Sequence, residues 1–277
     1  APRLTPSTME LSGCDPVFVL EGANLDLVAK AVEFGLRWNG SETCIAPRRV
    51  FASPEQAKDL EGRLQTALVG NVTPLRSPPA AAAARMVNAA LEQGAKLLVG
   101  GALPDQSGIL PTVLTNVRPD MAIARDESFA PVTSIIPVAN SEEAMKAVRR
   151  SPYGLGASIF GPNAEAQKIA NEVPAGSVVV NDILVPTADP RLPFGGRGAS
   201  GFGVTRGEEG LLDMTTIKVV STRHVAMYQH LDPLTKSDEE LFLAYLHGFH
   251  GESFWVRMSG RLRFFRIMIG KGFSGKK

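Results

Sequence analysis

The sequence predicts an α/β fold in which a mostly parallel sheet is flanked by helices. Short apolar runs, typical of buried strands, alternate with segments whose apolar residues recur every three or four positions, the spacing of one helix face. Such alternation over most of a chain favours parallel strands covered by helices. The 277 residues are 44% hydrophobic and 21% charged, so a core of ordinary size can be buried.

The first strand and helix are predicted near the N-terminus. The apolar run at 16–20 predicts a short buried strand. Asn24 can cap the helix that follows, because its side chain accepts hydrogen bonds from the first free backbone N–H groups. That helix is expected to run to about Trp38, where the segment 39–41 (Asn-Gly-Ser) breaks it.

The same alternation continues to residue 181. Further strands are predicted at 49–52, 96–100, 132–138, 157–160 and 177–181, and further helices from residue 53, at 80–92, from residue 141 and at 164–173, with a loop at 70–79. The composition changes near Thr222. We therefore expect a first domain over 1–221 and a C-terminal extension over 222–277, helical and basic at its end.

Charge and cysteine content exclude several classes of protein. The formal net charge is +1, which gives no whole-chain argument for nucleic-acid binding. No apolar run reaches the roughly 18 residues of a membrane span, and the N-terminus lacks the apolar core of a secretion signal. Two cysteines do not make a disulfide framework. These observations favour a reducing, cytoplasmic location.

The histidine distribution constrains the catalytic base. All four histidines, at 224, 230, 247 and 250, lie in the last quarter of the chain. A base in the main body is therefore more naturally a carboxylate, unless the tail folds back. His247 and His250 are three apart, but no cysteine or carboxylate motif accompanies them, so no metal site is predicted.

Five segments carry the chemical argument. Residues 9–16 read MELSGCDP, 38–47 read WNGSETCIAP and 126–132 read DESFAPV; residues 193–201 (PFGGRGASG) and 210–215 (GLLDMT) add weaker signals. In this order they resemble the aldehyde dehydrogenase superfamily, and the resemblance extends over about residues 5–221. It implies the catalytic domain fold of that superfamily.

The resemblance also implies the roles of individual residues. Cys44 stands in the place of the nucleophile and Glu10 in the place of the general base, 34 positions apart, the separation expected for the family. Glu127 and Phe129 stand where the family contacts the ribose and nicotinamide of NAD or NADP, and Leu11 is expected at the same cofactor. The implied activity is oxidation of a small aldehyde to a carboxylic acid through a cysteine thiohemiacetal and thioester.

Each of these residues also has a plainer interpretation. Taken alone, Glu10 is a solvated acid and Cys44 a small buried hydrophobe. Glu127 and Phe129 could be a strand-edge acid and a core aromatic. Cys14, where the family usually has lysine, is interpreted as incidental. The glycines within 195–203 fit tight turns better than a phosphate-binding loop, since they do not link a strand to a helix.

The match is incomplete at the N-terminus. Only about ten residues precede Glu10, whereas the family's cofactor domain lies mostly before the base. The chain alone is therefore expected to bind NAD(P) poorly, as a truncated form, a split-gene product or an inactive relative, with a separate cofactor-domain subunit or a homo-oligomer as partner. Ser12 and Ala130 replace expected glycines, and the segment 70–79 looks shortened. Glu42 replaces a glutamine and should raise the pKa of the Cys44 thiol.

Two other functions stay open. The domain could be a non-catalytic assembly or regulatory module, or a relative of the glutamyl phosphate reductases, which lack the Glu10 base. After Glu252 the tail has no acids and is rich in aromatic and basic residues. It could lie on an anionic membrane, but packing on the surface left by the absent domain is the favoured interpretation.

Overall fold

The computed structural model describes residues 6–68, 73–222, 224 and 233–274, without the side chains of 271–274. The chain forms two compact units, Ala1–Ile217 and Lys218–Lys277. Within the described residues, no helix combines the length and apolar content needed to cross a membrane.

The first unit is built on a seven-stranded sheet with order β4-β5-β6-β3-β2-β8-β9. All neighbours in it are parallel except β4 and β5. Two-residue strands form two small antiparallel ribbons, β1 with β11 and β7 with β10. The described strands are β1 (Met9–Glu10), β2 (Asp15–Val19), β3 (Pro47–Ala52), β4 (Lys96–Ala102), β5 (Ile109–Thr115), β6 (Val132–Pro137), β7 (Tyr153–Gly154), β8 (Gly156–Phe160), β9 (Ser177–Val180), β10 (Arg197–Gly198) and β11 (Gly201–Phe202).

Helices cover both faces of the sheet, which buries the parallel strands as expected. The helices of this unit are α1 (Leu25–Arg37), α2 (Pro54–Leu68), α3 (Pro78–Glu92), α4 (Ser141–Arg149), α5 (Asn163–Glu172) and α6 (Gly207–Asp213). One core cluster joins α1 and α2 to the sheet, for example through Val32 and Leu64 against Val50. A second cluster joins α3, α4 and α5 to the opposite face around Phe18 and Phe51.

Most predicted elements are confirmed in type and within a few residues at their ends. Asn24 caps α1 as expected: its Oδ1 accepts from the backbone N–H groups of Asp26 at 3.1 Å and Leu27 at 3.2 Å. The helix ends at Arg37, and positive φ angles of 50° at Asn39 and 61° at Gly40 break it. The predicted loop at 70–79 lies partly outside the described residues, and α3 begins inside it at Pro78.

Strand β5 was not predicted. Pro111 stands inside it and lacks a backbone N–H, which argues against a strand in a sequence. In the fold its neighbour β4 is bulged between Val99 and Gly101, where the regular ladder is interrupted opposite the proline. β4 and β5 therefore form an antiparallel edge on an otherwise parallel sheet.

The second unit contains two helices, α7 (Lys236–His250) and α8 (Phe254–Ser274), within its described part. A capping box starts α7: Asp238 accepts a hydrogen bond from the backbone N–H of Thr235 at 2.8 Å. Residues 223, 225–232 and 275–277 of the predicted extension, including His230, lie outside the described residues.

Candidate functional site

The predicted site residues come together at the edge where the parallel strands begin. Glu10 and Leu11 precede β2, Cys44 precedes β3, Glu127 and Phe129 precede β6, and Tyr153 stands before β8. Because β2, β3, β6 and β8 run parallel, the segments that enter them meet at one edge of the sheet. A cleft of about 570 Å³ there is lined by Glu10, Leu11, Ser12, Cys44, Glu127, Phe129, Tyr153 and Ala199.

Glu10 is held by the β1–β11 ribbon, in which it lies opposite Gly201. Its carboxylate is exposed and accepts a hydrogen bond from Thr205 Oγ1 at 3.1 Å. The next residue, Leu11, donates its backbone N–H to the Ser200 carbonyl at 3.1 Å. Gly201 has a φ of 114°, and a Cβ there would overlap the Met9 carbonyl, so only glycine allows this close pairing.

Cys44 lies in the turn between the broken end of α1 and strand β3, and its side chain is half-buried. The buried Arg48 guanidinium fixes the turn. It donates to the Ser41 carbonyl at 2.6 Å and to Ser41 Oγ at 3.0 Å. It also donates to the carbonyl of Ala130, next to Phe129. One side chain therefore ties the cysteine turn to the segment predicted to contact the cofactor.

The pKa of the Cys44 thiol is raised, first by burial and then by the negative charges of Asp15 and Glu10. Hydrogen bonds from the backbone N–H groups of Cys44 and Ile45 act in the opposite direction and lower it. Glu42, predicted to raise this pKa, points elsewhere: its carboxylate accepts a hydrogen bond from Ser77 Oγ at 3.0 Å. The carboxylates with the largest effect on the thiol are thus Asp15, where it is ionised, and Glu10.

A buried ionisable cluster lies beneath the cleft. Asp15, Arg48 and Arg49 are 5%, 3% and 1% exposed. Burial raises the pKa of Asp15 to about 8, although the Gly156 backbone hydrogen bond and the two arginines lower it. Burial also raises the pKa of Cys14, the second free thiol. At neutral pH the Asp15 carboxyl is therefore mostly protonated.

The opposite wall of the cleft combines an acid with two aromatic rings. Glu127 is exposed, and Phe129 is half-buried. The pKa of the Tyr153 phenol is raised by its partial burial and by the carboxylates of Glu127 and Asp126. This wall offers a hydrogen-bond acceptor beside flat apolar surfaces.

All five predicted site residues line this one cleft. Tyr153, Ser12 and Ala199 also line it and were not predicted. Tyr153 could have been found, because it stands just before a predicted strand, as Cys44 and Phe129 do. Asp15 and Arg48 also stand directly before the predicted strands at 16–20 and 49–52, but position alone does not show their importance, which comes from burial and, for Arg48, from a contact far along the chain.

Two further predictions concern binding groups. The glycines within 195–203 form turns: Gly198, Gly201 and Gly203 have φ angles of 61°, 114° and 77° around short ribbon strands. This agrees with turns rather than a phosphate-binding loop between a strand and a helix. Among the described residues, no cluster of three or more His, Cys, Asp or Glu side chains could hold a metal ion.

Known proteins resemble this chain over most of its length. Residues 1–220 match the model of the aldehyde dehydrogenase family. The chain is 35% identical over 248 residues to a putative succinate-semialdehyde dehydrogenase (NADP(+)) 2 of Mycobacterium tuberculosis, covering 83% of this chain and 47% of that protein. It is 34% identical over 233 residues to a succinate-semialdehyde dehydrogenase (NADP(+)) of Deinococcus radiodurans, covering 79% and 48%.

Solved structures show the same fold. A NADP-dependent glyceraldehyde-3-phosphate dehydrogenase from Bacillus halodurans, complexed with NADP, aligns with a TM-score of 0.69 at 32% identity, over 75% of this chain and 46% of that chain. A NAD-dependent aldehyde dehydrogenase from Sinorhizobium meliloti aligns with a TM-score of 0.73 at 27% identity, over 82% and 48%. The chain thus spans about half the length of the relatives it matches.

Proposed function

The chain belongs to the aldehyde dehydrogenase family, and from that premise we propose that it carries the thiol half of an NAD(P)-dependent aldehyde oxidation. The observation that carries the proposal is the single cleft shared by Cys44, Glu10, Glu127 and Phe129. A thiol, a carboxylate base and a cofactor-facing wall are the groups that such a reaction requires.

The proposed reaction assigns one role to each group. Cys44 Sγ bonds to the aldehyde carbon as the carbonyl π bond breaks, and the thiol proton is transferred to the carbonyl oxygen, giving a thiohemiacetal whose oxygen faces the backbone N–H of Cys44. NAD(P), held against Glu127, Phe129 and Leu11, would supply the hydride acceptor when bound; loss of hydride from the carbon and of the proton from the hydroxyl group would leave a thioester on Cys44. Glu10 then accepts a proton from water as the water oxygen attacks the thioester carbon. The carbon–sulfur bond breaks, which releases the carboxylic acid, and the proton held by Glu10 passes to the sulfur and restores the thiol.

The residues of the cleft fit one end of NAD(P). The exposed Glu127 carboxylate can accept hydrogen bonds from ribose hydroxyls, while Phe129 and Leu11 offer apolar surface to a nicotinamide ring. The glycine turns at 195–203 offer no strand-to-helix cradle for the diphosphate. We therefore propose that the part of the relatives that this chain does not match, or a partner subunit, supplies the remaining contacts.

The names of the relatives indicate the first substrate to assay. Two of them are called succinate-semialdehyde dehydrogenases that use NADP(+). Succinate semialdehyde with NADP(+) is therefore the first pair to test, in the presence of a protein that supplies the cofactor contacts.

The thiol half can be tested on this chain alone with an activated ester, p-nitrophenyl acetate. Acylation of Cys44 should release a burst of nitrophenolate, followed by slower turnover as the thioester is hydrolysed. Cys44→Ala should abolish the burst. Glu10→Gln should keep the burst amplitude but lower the steady rate by roughly 10²- to 10⁴-fold, the usual contribution of a general base.

Cys14→Ala is the matched control, because Cys14 is the second cysteine and is fully buried away from the cleft lining. It should keep both phases. A burst that persists in Cys44→Ala and disappears in Cys14→Ala would contradict the assignment of the nucleophile.

A second candidate function is a non-catalytic assembly module, favoured by the raised pKa of Cys44. Calorimetry with NADP(+) separates the two. Tight binding by the isolated chain would rule out the module, whereas no binding with or without a partner subunit, together with no ester burst, would support it.

A further inference from the structure

The two helices of the second unit pack through one face of α8. Gly260 of α8 lies against the backbone of Gly248 in α7, where a side chain on either residue would collide. Beside this contact the ring of Phe264 packs against those of Tyr245 and Phe249, with centroids 5.9 Å apart in each pair. The face of α8 that carries Gly260 and Phe264 is therefore already partnered by α7.

A second apolar face runs along α8. Phe254, Met258, Leu262, Phe265 and Ile269 recur at steps of three and four residues, so they form one stripe, which we call the outer stripe. These five side chains are between 42% and 67% exposed, and the neighbouring Trp255 is 78% exposed. Large apolar side chains rarely form such a continuous exposed row without a function.

The charged side chains of α8 itself all have one sign. Arg261 and Arg266 are sequence neighbours of Leu262 and Phe265 on opposite sides, so they flank the stripe, and both are exposed. Arg261 also donates its Nε–H to the Gly248 carbonyl of α7 at 3.0 Å, so Arg266 is the main charged group that faces away from α7. Arg263 is also exposed but forms an ion pair with Glu240 of α7 at 3.7 Å, and no acidic residue follows Glu252 in the sequence. The outer stripe is therefore an apolar row with an arginine rim.

We propose that the outer stripe of α8 binds the surface of an anionic lipid bilayer, with α8 lying in the plane of the interface. Phe254, Trp255 and Leu262 would enter the boundary between headgroups and acyl chains, while the arginines pair with anionic headgroups. The face of α8 that carries Gly260 and Phe264 contacts α7. Apolar residues are therefore not confined to one side of α8.

Charge argues against a second copy of the chain as the occupant. Two outer stripes in contact would bring together two α8 helices that carry only positive side chains, and like charges repel. A bilayer containing phosphatidylserine presents the opposite charge over a wide area, so it complements the arginine rim.

The full chain can be tested by co-sedimentation with large vesicles of phosphatidylcholine, with and without 30% phosphatidylserine (about this fraction gives a strongly negative surface). Binding is expected to the anionic vesicles only, and to decline as salt screens the surface charge. In a Trp38→Phe variant, Trp255 is the single tryptophan. Its emission should shift to the blue on anionic vesicles.

Variants test both parts of the surface. Arg266→Gln should weaken binding about fivefold and Arg266→Glu about 25-fold, as expected for one and two units of charge near an anionic surface. Leu262→Glu should weaken it more than tenfold, because it removes an inserted side chain and adds a negative charge. Leu211→Glu and Arg149→Gln, at exposed positions of the first unit, are the matched controls and should bind like the unmodified chain.

Far-UV circular dichroism must show that the helices of Arg266→Glu and Leu262→Glu persist. The proposal is overturned if the unmodified chain binds neither vesicle type, binds both equally, or binds anionic vesicles unchanged in both variants. It is also overturned if light scattering shows a dimer that Leu262→Glu dissociates, since a second copy would then cover the outer stripe.

Discussion

Replacing Asp15 with asparagine should stabilise the first unit, and the gain should grow as the pH rises from about 4 to about 8. The Asp15 carboxyl is buried beneath the cleft, and burial raises its pKa from 3.8 to about 8 despite the nearby positive charges of Arg48 and Arg49. An unfolded chain ionises the same carboxyl near its ordinary pKa of about 3.9.

The sign and the size follow from this difference. Because the folded pKa is the higher one, the stability that Asp15 contributes is fully present below the unfolded pKa and is lost as the pH rises to about 8. Each pH unit in that window lowers the free energy of unfolding by about 1.4 kcal/mol, so the whole window corresponds to a loss on the order of 6 kcal/mol. That is a large share of the 5–15 kcal/mol by which domains are typically stable. Asparagine has no such titration.

Urea unfolding at pH 5, 6, 7 and 8 measures the effect, with Trp255→Phe as the background so that Trp38 alone reports on the first unit. The free energy of unfolding of Asp15→Asn minus that of the parent should rise by about 1.4 kcal/mol per pH unit and level off above pH 8. The slope, not the absolute value, is the readout, because the amide adds a pH-independent hydrogen-bonding cost. If the free energies of unfolding of Asp15→Asn and its parent differed by the same amount at every pH, Arg48 and Arg49 would be keeping Asp15 ionised, and the reasoning would be refuted.

Asp120→Asn is the control substitution. Its carboxylate is exposed, and a hydrogen bond from Arg118 lowers its pKa. A lowered pKa contributes stability above the unfolded pKa, which is lost only as the pH falls towards the folded value. The Asp120→Asn difference should therefore be flat between pH 5 and pH 8.

Three other predictions concern the cleft. Asp15 ionises above about pH 8, and its negative charge then opposes formation of the Cys44 thiolate. Asp15→Asn should therefore speed the labelling of Cys44 by iodoacetamide above pH 8 and leave it unchanged below pH 6. Peptide mass spectrometry measures the labelling. Arg48→Met leaves the buried oxygens of Ser41 without their donor and should lower the free energy of unfolding by about 2–4 kcal/mol. Arg48→Lys should recover part of this loss, and hydrogen exchange should be faster in the turn that carries Cys44. Gly201→Ala strains the ribbon that holds Glu10 and should slow the same phases of ester turnover as Glu10→Gln does; unchanged rates in both phases would contradict this role of the ribbon.

The sequence alone predicts most strands of the parallel sheet and predicts that the site residues lie close together. Apolar runs and helix spacing predict β2, β3, β6, β8 and β9, because buried parallel strands are short and continuous in apolar character. The motif residues precede several of these strands, so parallel order alone places them at one edge. Five predicted site residues then line one cleft.

What the sequence could not predict depends on long-range contacts. Ribbons of two residues, such as β1 with β11, are too short for any periodic pattern, and they pair segments almost the whole first unit apart. Arg48 reaches Ala130 across 82 positions. Strand β5 is not predicted because it contains Pro111, and the bulge that accommodates the proline lies on the neighbouring strand β4. The expected influence of Glu42 on Cys44 failed for the same reason, since Ser77 turns the carboxylate away.

The raised pKa of Cys44 has a kinetic consequence. Burial and the Glu10 carboxylate keep the group mostly as a thiol at neutral pH, where Asp15 is largely protonated, and the two backbone N–H groups do not offset them. Acylation then requires removal of the thiol proton during attack, and Glu10 is the carboxylate that lines the same cleft. Glu10→Gln should therefore slow the rate of the ester burst at pH 7 as well as the steady rate, and the slowing of the burst should disappear at high pH, where the thiolate forms without a base. If stopped-flow traces at pH 7 show an unchanged burst rate in Glu10→Gln, the thiol proton leaves directly to solvent, and Glu10 acts only on the water that hydrolyses the thioester.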